Sequence, residues 1–200
     1  MNAGPTHVLL DANVLFSRAC RDWIARGALL CREGMFVPHW TEDVLSEWMY
    51  RLRRKNPTAP DSSIGQKRRD LEGAFPQALV TGYAIMDSPF ADPNDAHVHA
   101  AAVHAGVDMV ITQDSGFHAV DGHVLDDLPY EVWTPDDFLV LMADSSPGLL
   151  FALVEDQLGY WSRRSPGDVD LPGRLRAAQL CQFASQVEEV LRTMAMSGRW

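Results

Sequence analysis

The sequence predicts an α/β fold, a central and mainly parallel sheet with helices on both faces, and three observations carry that prediction. Short apolar runs that read as buried strands alternate with segments of helical periodicity along most of the chain. Two helix starts are marked by a capping residue followed by proline, at Asp92-Pro93 and Thr134-Pro135. Four acidic residues, Asp11, Glu47, Asp95 and Asp114, stand where an element meets an edge, the place where open α/β sheets carry their chemistry.

His7 to Asp11 reads as the first strand, and Asn13 to about Leu30 as one amphipathic helix carrying Val14, Leu15, Trp23 and Ile24. Met35 to Pro38 is a short second strand. Thr41 is then an N-cap, with Glu42 and Asp43 in the first turn, where the helix dipole favours negative charge, and this helix runs to about Lys55. Asn56 to Ser63 is a turn-rich break, followed by a basic helix from Ile64 to about Ala74 and a shorter one after Pro76. Tyr83 to Met86 reads as a strand. Asp92-Pro93 opens an alanine-rich helix that Gly106 ends. Asp108 to Thr112 and Tyr130 to Trp133 are the last strands, and Thr134 caps the helix after them. From Ser145-Ser146-Pro147-Gly148 the rhythm changes to a wholly helical tail, including a stretch from Leu171 to about Met196. The expected division is a domain over residues 1–143 and a helical extension over 144–200.

With 200 residues and 46% hydrophobic content, the chain can bury one substantial core with a helical annex and needs no disulfide. Cys20, Cys31 and Cys181 are odd in number and widely spaced, which suggests neither a disulfide framework nor a zinc site. No apolar run has the length of a bilayer span, and the N-terminus enters a strand pattern without a charged leader. A soluble protein of the reducing cytoplasm is expected. The net charge of -10 repels a polyanion at long range. Yet seven of the 17 basic residues lie between Arg51 and Arg69 with Asp61 as the one acid there. Such a cluster is either a solvated helix end or a phosphate-tracking patch beside a catalytic centre.

Each carboxylate has a duller explanation to set beside the functional one. An aspartate at a strand end is commonly a turn former, but Asn13 follows Asp11 by two residues, and nothing apolar explains either. Asp114 can cap Ser115-Gly116-Phe117, although its place after Val110-Ile111-Thr112-Gln113 favours the sheet edge. Asp92 is assigned mainly to capping and Asp95 to the site. For Asp136 and Asp137, capping is the whole explanation. A rotation of 100° per residue puts Val44, Leu45, Trp48 and Leu52 on the core stripe of their helix and Glu47, Arg51 and Arg54 on a neighbouring one. Glu47 and Arg51 are either an i,i+4 pair worth about 0.3–0.5 kcal/mol, or a metal-associated acid with a guanidinium placed to hold a phosphate. Gathered at the C-terminal edge of a parallel sheet, such acids form a hard oxygen cage suited to Mg²⁺ or Mn²⁺ and to phosphodiester hydrolysis. His97 and His99, at i and i+2, do not share a helix face and have no partners spaced to complete a zinc tetrahedron. His99 lies one turn after Asp95, within reach of a substrate.

Taken together, these segments resemble the PIN domain, the nuclease fold shared by VapC-type toxins of toxin-antitoxin modules and several RNA-processing enzymes. Val8-Leu9-Leu10-Asp11-Ala12-Asn13-Val14-Leu15 is similar to the family's opening strand and first acid, and Val44-Leu45-Ser46-Glu47 to its second. Asp92-Pro93-Asn94-Asp95-Ala96-His97-Val98 with Ala100-Ala101-Ala102 is similar to the helix bearing the third. Val110-Ile111-Thr112-Gln113-Asp114 followed by Gly116-Phe117 is similar to the strand and turn bearing the fourth. The resemblance covers roughly residues 6 to 140.

That resemblance implies a PIN-like three-layer α/β/α sandwich with Asp11, Glu47, Asp95 and Asp114 as catalytic, metal-holding acids, Asn13 and Thr112 in support, and Asp92 as an extra acid. It implies one or two Mg²⁺ or Mn²⁺ ions, an RNA substrate cut to a 5′-phosphate and a 3′-hydroxyl, and Arg51, Arg54, Lys67, Arg68 and Arg69 as phosphate contacts. A VapC-like toxin restrained by an antitoxin, with a homodimer as a further assembly, is the leading expectation. A housekeeping RNA-processing nuclease and a PIN-fold RNA- or protein-binding module without turnover are the rivals. A haloacid-dehalogenase-type phosphatase needs a second Asp where Asn13 stands, and a receiver domain needs an acidic pair before its phosphorylated Asp; neither signature is present.

Overall fold

Val8, Leu9 and Leu10 are buried with their backbones hydrogen-bonded on both sides, which is what a continuous apolar run achieves at the centre of a parallel sheet. The computed structural model describes residues 4–31, 34–164 and 169–198. The strands are β1 (Thr6–Leu10), β2 (Phe36–Thr41), β3 (Leu79–Val80), β4 (Met109–Ile111) and β5 (Glu131–Trp133). They pair in parallel in the order β3-β2-β1-β4-β5, flanked by helices, as the sequence predicts for an α/β sandwich. β1 has β2 on one side and β4 on the other, so the winding direction reverses between β1 and β4. The crevice outside the C-terminal ends of those two strands is the position where doubly wound sheets bind ligands.

The chain divides into two compact units: Met1–Phe16 with Met35–Trp133, and Ser17–Gly34 with Thr134–Trp200. The first holds the whole sheet, with α1 (Ala12–Phe16), α3 (Glu42–Lys55), α4 (Asp61–Ala74), a 3₁₀ turn at Pro93–Asp95 leading into α5 (Ala96–Ala105), and the short α6 (Ser115–His118) and α7 (Gly122–Asp126). Thr41 caps α3 by accepting from the Val44 amide at 3.1 Å, and Gly106, at φ +59°, ends α5 in the left-handed region.

Three expected elements differ. The helix expected from Asn13 to Leu30 is two, α1 and α2 (Arg18–Leu30), because Ser17 leaves the helical conformation to cap α2 by accepting from the Cys20 amide. Apolar periodicity runs through this break, so the pattern does not register it. The short helix expected after Pro76 is instead the extended pair β3, aligned with Trp40 and Thr41 of β2. Tyr83 to Met86 is not a strand: β3 already occupies the edge of β2, and Gly82, at φ +81°, turns the chain at that point. Ile85 and Met86 are 64% and 45% exposed, and the Tyr83 hydroxyl donates to Asp43 at 2.5 Å.

The second unit is helical: α2, α8 (Pro135–Ser145), α9 (Pro147–Arg164), α10 (Leu171–Ala177) and α11 (Cys181–Met196). The expected linker at Ser145 to Gly148 contracts to Ser146, across which α8 and α9 bend by 116°. The expected stretch from Leu171 to Met196 is two helices, separated where Gln179 takes φ +63°. Trp23 and Ile24 of α2, Leu153 and Val154 of α9, and Phe183, Ala184 and Val187 of α11 are buried, with Trp23 edge-on to Phe183 at 5.1 Å between centroids. Among the described residues, no single helix is long and apolar enough to cross a membrane.

Candidate active site

Asp11 leaves β1 at its C-terminal end and starts α1. Its amide donates to the Ile111 carbonyl of β4 at 3.1 Å, and its own carbonyl accepts from Val14 and Leu15. The side chain is 7% exposed, and its two oxygens are separately addressed. Oδ1 accepts from the Ala12 amide at 2.5 Å; Oδ2 accepts from the Thr112 hydroxyl at 2.7 Å and from the Asn13 amide group. Asn13 also donates to Thr112 Oγ1 at 3.0 Å, and its Oδ1 accepts from the Gln113 amide at 3.0 Å. Asn13 and Thr112 therefore join the ends of β1 and β4 across the winding switch. Burial pushes the Asp11 carboxyl up, opposed by the Thr112 hydroxyl and the Ala12 amide; Glu47 raises it further and Arg51 lowers it.

Thr112 is fully buried. Its Oγ1 accepts from the Asp114 amide at 3.0 Å, which turns the chain so that the Asp114 side chain caps α6, accepting from the Gly116 amide at 2.7 Å. A Cβ on Gly116 would stand 3.2 Å from Asp114 Oδ1 and 3.5 Å from Asp95 Oδ2. Two carboxylates from different elements thus gather over a position kept open by the missing side chain.

Asp95 ends the 3₁₀ turn that Asp92 caps by accepting from the Asn94 amide at 2.8 Å. Asp95 Oδ2 is buried and has no hydrogen-bond partner. Its carboxyl is pushed up to about 6, first by burial and then by the charges of Asp114, Asp92 and Asp11, with His97 acting the other way. Asp11 and Asp114, far away in sequence, and Asp92 beside it thus act on one half-buried carboxyl, as electrostatic neighbours must.

Glu47 sits on α3 and forms an ion pair with Arg51 at 2.5 Å, so the structure contains the i,i+4 pair, while the charges of both residues also act on Asp11. Arg54 is exposed and lies over the Tyr50 ring at 5.8 Å. Lys67 is exposed. Arg69 donates to Gln66 at 2.8 Å. Arg68 makes a two-pronged contact with Glu42, at 2.7 and 2.8 Å, and a third bond to Glu72 at 2.9 Å, tethering α4 to α3. His99 does not reach toward substrate. It is 6% exposed, and its Nδ1 pairs with the Tyr130 hydroxyl at 2.7 Å, because residue 99 lies on the core face of α5.

Two contributors escape sequence reasoning. Gly116 matters through a close approach of side chains from elsewhere, which has no local signal. The His118 ring pairs with the Thr112 carbonyl at 3.0 Å and braces the turn after β4. Its spacing from Thr112 gives no hint of this.

The donor set is all oxygen, it lies at the winding switch, and Asp95 Oδ2 awaits a positive partner, so the acids fit a hard divalent cation. Among the described residues, no three His, Cys, Asp or Glu side chains form a ready-made cage as they stand.

A parallel α/β fold with acids at the switch between β1 and β4 is an arrangement suited to phosphate chemistry. Comparison with family models matches the PIN domain over residues 7–116, more than half of the 200-residue chain, and this chain belongs to the PIN domain family, a nuclease fold whose members usually use divalent metals. Comparisons with curated proteins and with solved structures returned no match.

Proposed function

We propose that this protein is a Mg²⁺- or Mn²⁺-dependent endoribonuclease in which Asp11, Glu47, Asp95 and Asp114 hold the metal, with Asn13, Thr112 and Asp92 in support. The observation that carries the reading is the half-buried Asp95 carboxyl, whose buried Oδ2 has no hydrogen-bond partner and which is raised to about 6 first by burial and then by the acids facing it. A divalent cation bound among these oxygens supplies Lewis-acid polarisation of the phosphate and a water of lowered pKa. The chain's own part is to aim and charge the ligands. Asn13 and Thr112 orient Asp11, and the Thr112 hydroxyl together with the Ala12 amide opposes the burial that favours its neutral form. The Gly116 amide fixes Asp114. Arg51, Arg54, Lys67 and Arg69 are the proposed phosphate contacts; Arg68 joins them only by releasing Glu42 and Glu72.

Incubating the protein with single-stranded RNA in Mg²⁺, Mn²⁺ or a chelator tests the reading, with Asp11→Asn as control. Cleavage products carrying 5′-phosphates, abolished by chelation and reduced at least about 100-fold in Asp11→Asn, are expected. Cleavage that persists in that variant would refute the assignment.

The proposed cellular role is the toxin of a type II toxin-antitoxin system, held in check by a cognate antitoxin and assembled as a homodimer. Its support is the resemblance to VapC-type toxins within the family. Induced expression should arrest growth for the wild type and not for Asp11→Asn, and co-expression of a small DNA-binding protein encoded beside it should relieve the arrest.

A further inference from the structure

Helices α8 and α9 meet at an angle of 116° across Ser146, and α11 packs against both. The elbow leaves a cleft of about 400 Å³ within the helical unit, with Leu150, Phe151 and Val190 in its walls. Its charged groups are of one sign: Asp144 and Glu189 line it, and among the described residues no lysine, arginine or histidine does. Gln186 also lines it. The Gln186 amide nitrogen is committed to Asp144 Oδ1 at 2.7 Å, and its Oε1 is a buried oxygen without a hydrogen-bond partner. Thr193 donates its hydroxyl to the Glu189 carbonyl at 3.0 Å. Arg176 and Arg192 pair with Glu188, which leaves Glu189 without an ion pair among the described residues. The cleft therefore combines apolar walls with a surplus of acceptors.

Two carboxylates repel a nucleic acid. A wholly apolar occupant would cover them without a countercharge and would leave the Gln186 oxygen unsatisfied, both of which are unfavourable. The chemistry that fits is a cation carried on an apolar body. The outer stripe of α11 decides its form. Gln186, Glu189, Val190 and Thr193 stand at i, i+3, i+4 and i+7, the spacing at which one helix presents a ridge to another, and Met196, 88% exposed, prolongs the stripe. We propose that this cleft docks an amphipathic helix of a partner protein, one that sets an arginine or lysine beside its apolar residues. The apolar side chains enter between Leu150, Phe151 and Val190, and the cation meets Asp144, Glu189 and Gln186 Oε1. This surface stands apart from the ribonuclease reading, since it needs neither metal nor RNA.

The test uses the full-length protein and two fluorescein-labelled, alanine-rich helical peptides of about 18 residues. Both carry leucines at i, i+4 and i+7, flanked by arginines in one peptide and by glutamates in the other. Anisotropy at low salt should show saturable binding of the arginine peptide, at least about 10-fold tighter than that of the glutamate peptide. Glu189→Gln should weaken that binding about 3-fold. Val190→Arg, which fills the cleft and supplies a cation of its own, should weaken it about 10-fold or more. Circular dichroism verifies folding, and Glu189 is exposed, so its variant reads the surface even where Val190→Arg disturbs packing. Equal affinity for the two peptides would overturn the proposal, as would arginine-peptide binding unmoved by Glu189→Gln and by a folded Val190→Arg. Sedimentation showing that the protein alone dimerises, and that Val190→Arg abolishes the dimer, would make a second copy the occupant and overturn the assignment to a partner.

Discussion

At the scale of single residues, the site is a place where stability has been surrendered to charge density. Asp95 shows it most directly, because burial and three neighbouring acids hold its carboxyl near 6 against an ordinary 3.8. A carboxyl raised in the folded state lends stability that is fully present below its unfolded value and is lost as pH rises through its folded value. The metal-free protein should therefore lose melting temperature between about pH 4 and pH 6 on this account. Asp95→Asn should flatten that part of the profile and raise the melting temperature at neutral pH while removing cleavage. Thermal unfolding in chelator across that range reads both effects, and a variant that melts lower than the parent at neutral pH contradicts the electrostatic account. Gly116 is the steric counterpart. An added Cβ would meet Asp114 Oδ1 at 3.2 Å, so that carboxylate must shift by a few tenths of an ångström. Gly116→Ala should fold normally and lose on the order of 10-fold in kcat/KM, with Gly116→Val losing more, since misplacement of a reacting array by about 1 Å can cost 100-fold.

At the scale of elements, what the sequence reveals follows from where the controlling interaction lies. β1 and β4 are legible because buried central strands need apolar side chains on both faces. The caps at Thr41, Asp92 and Thr134 are legible because the donor and acceptor lie within three residues. β3 is not, since two residues carry no pattern and their extension is imposed by β2. Asp95 and Asp114 could be read individually, but their meeting beside Gly116 joins the start of α5 to the end of β4, which no local window contains. Asp136 illustrates a different limit. Its expected role was to cap its own helix; instead its carboxylate accepts from the Gln182 and Phe183 amides, each at 3.0 Å, and caps α11, which has no cap of its own. Thr134 serves α8 by accepting from the Asp137 amide. Asp136→Ala should therefore destabilise the protein by about 1–2 kcal/mol through the start of α11. Hydrogen exchange should show the loss at the first amides of α11 and leave α8 protected; faster exchange at α8 instead would show the assignment to be mistaken.

At the scale of the whole molecule, the two compact units do not follow a simple cut of the chain. Ser17–Gly34 lies early in sequence, yet it groups with Thr134–Trp200. The reason is apolar burial: Trp23 is 3% exposed and edge-on to Phe183, Ile24 is fully buried, and Arg26 pairs with Asp156 at 3.2 Å. A hydrophobic helix face reads the same in sequence whether its partner is the next strand or a helix more than a hundred residues away. The expected division at residue 143 follows the change of composition, whereas the second compact unit begins again at Thr134 and takes in both α8 and α2. The consequence can be measured. A fragment ending at residue 143 retains all four candidate acids and the complete sheet, but it exposes Trp23 and Ile24, whose burial is worth about 1.5–3 kcal/mol for each such side chain. The fragment is expected to aggregate or to unfold non-cooperatively, and to show no metal-dependent cleavage. In the full-length chain, Trp23→Ala should cost about 3–5 kcal/mol, and Phe183→Ala a similar amount. Because the two rings touch, their combined loss should fall short of the sum of the single losses. A soluble fragment of residues 1–143 with a cooperative melt would mean that α2 has another way to cover its apolar face, and strictly additive losses at Trp23 and Phe183 would mean that their contact contributes little.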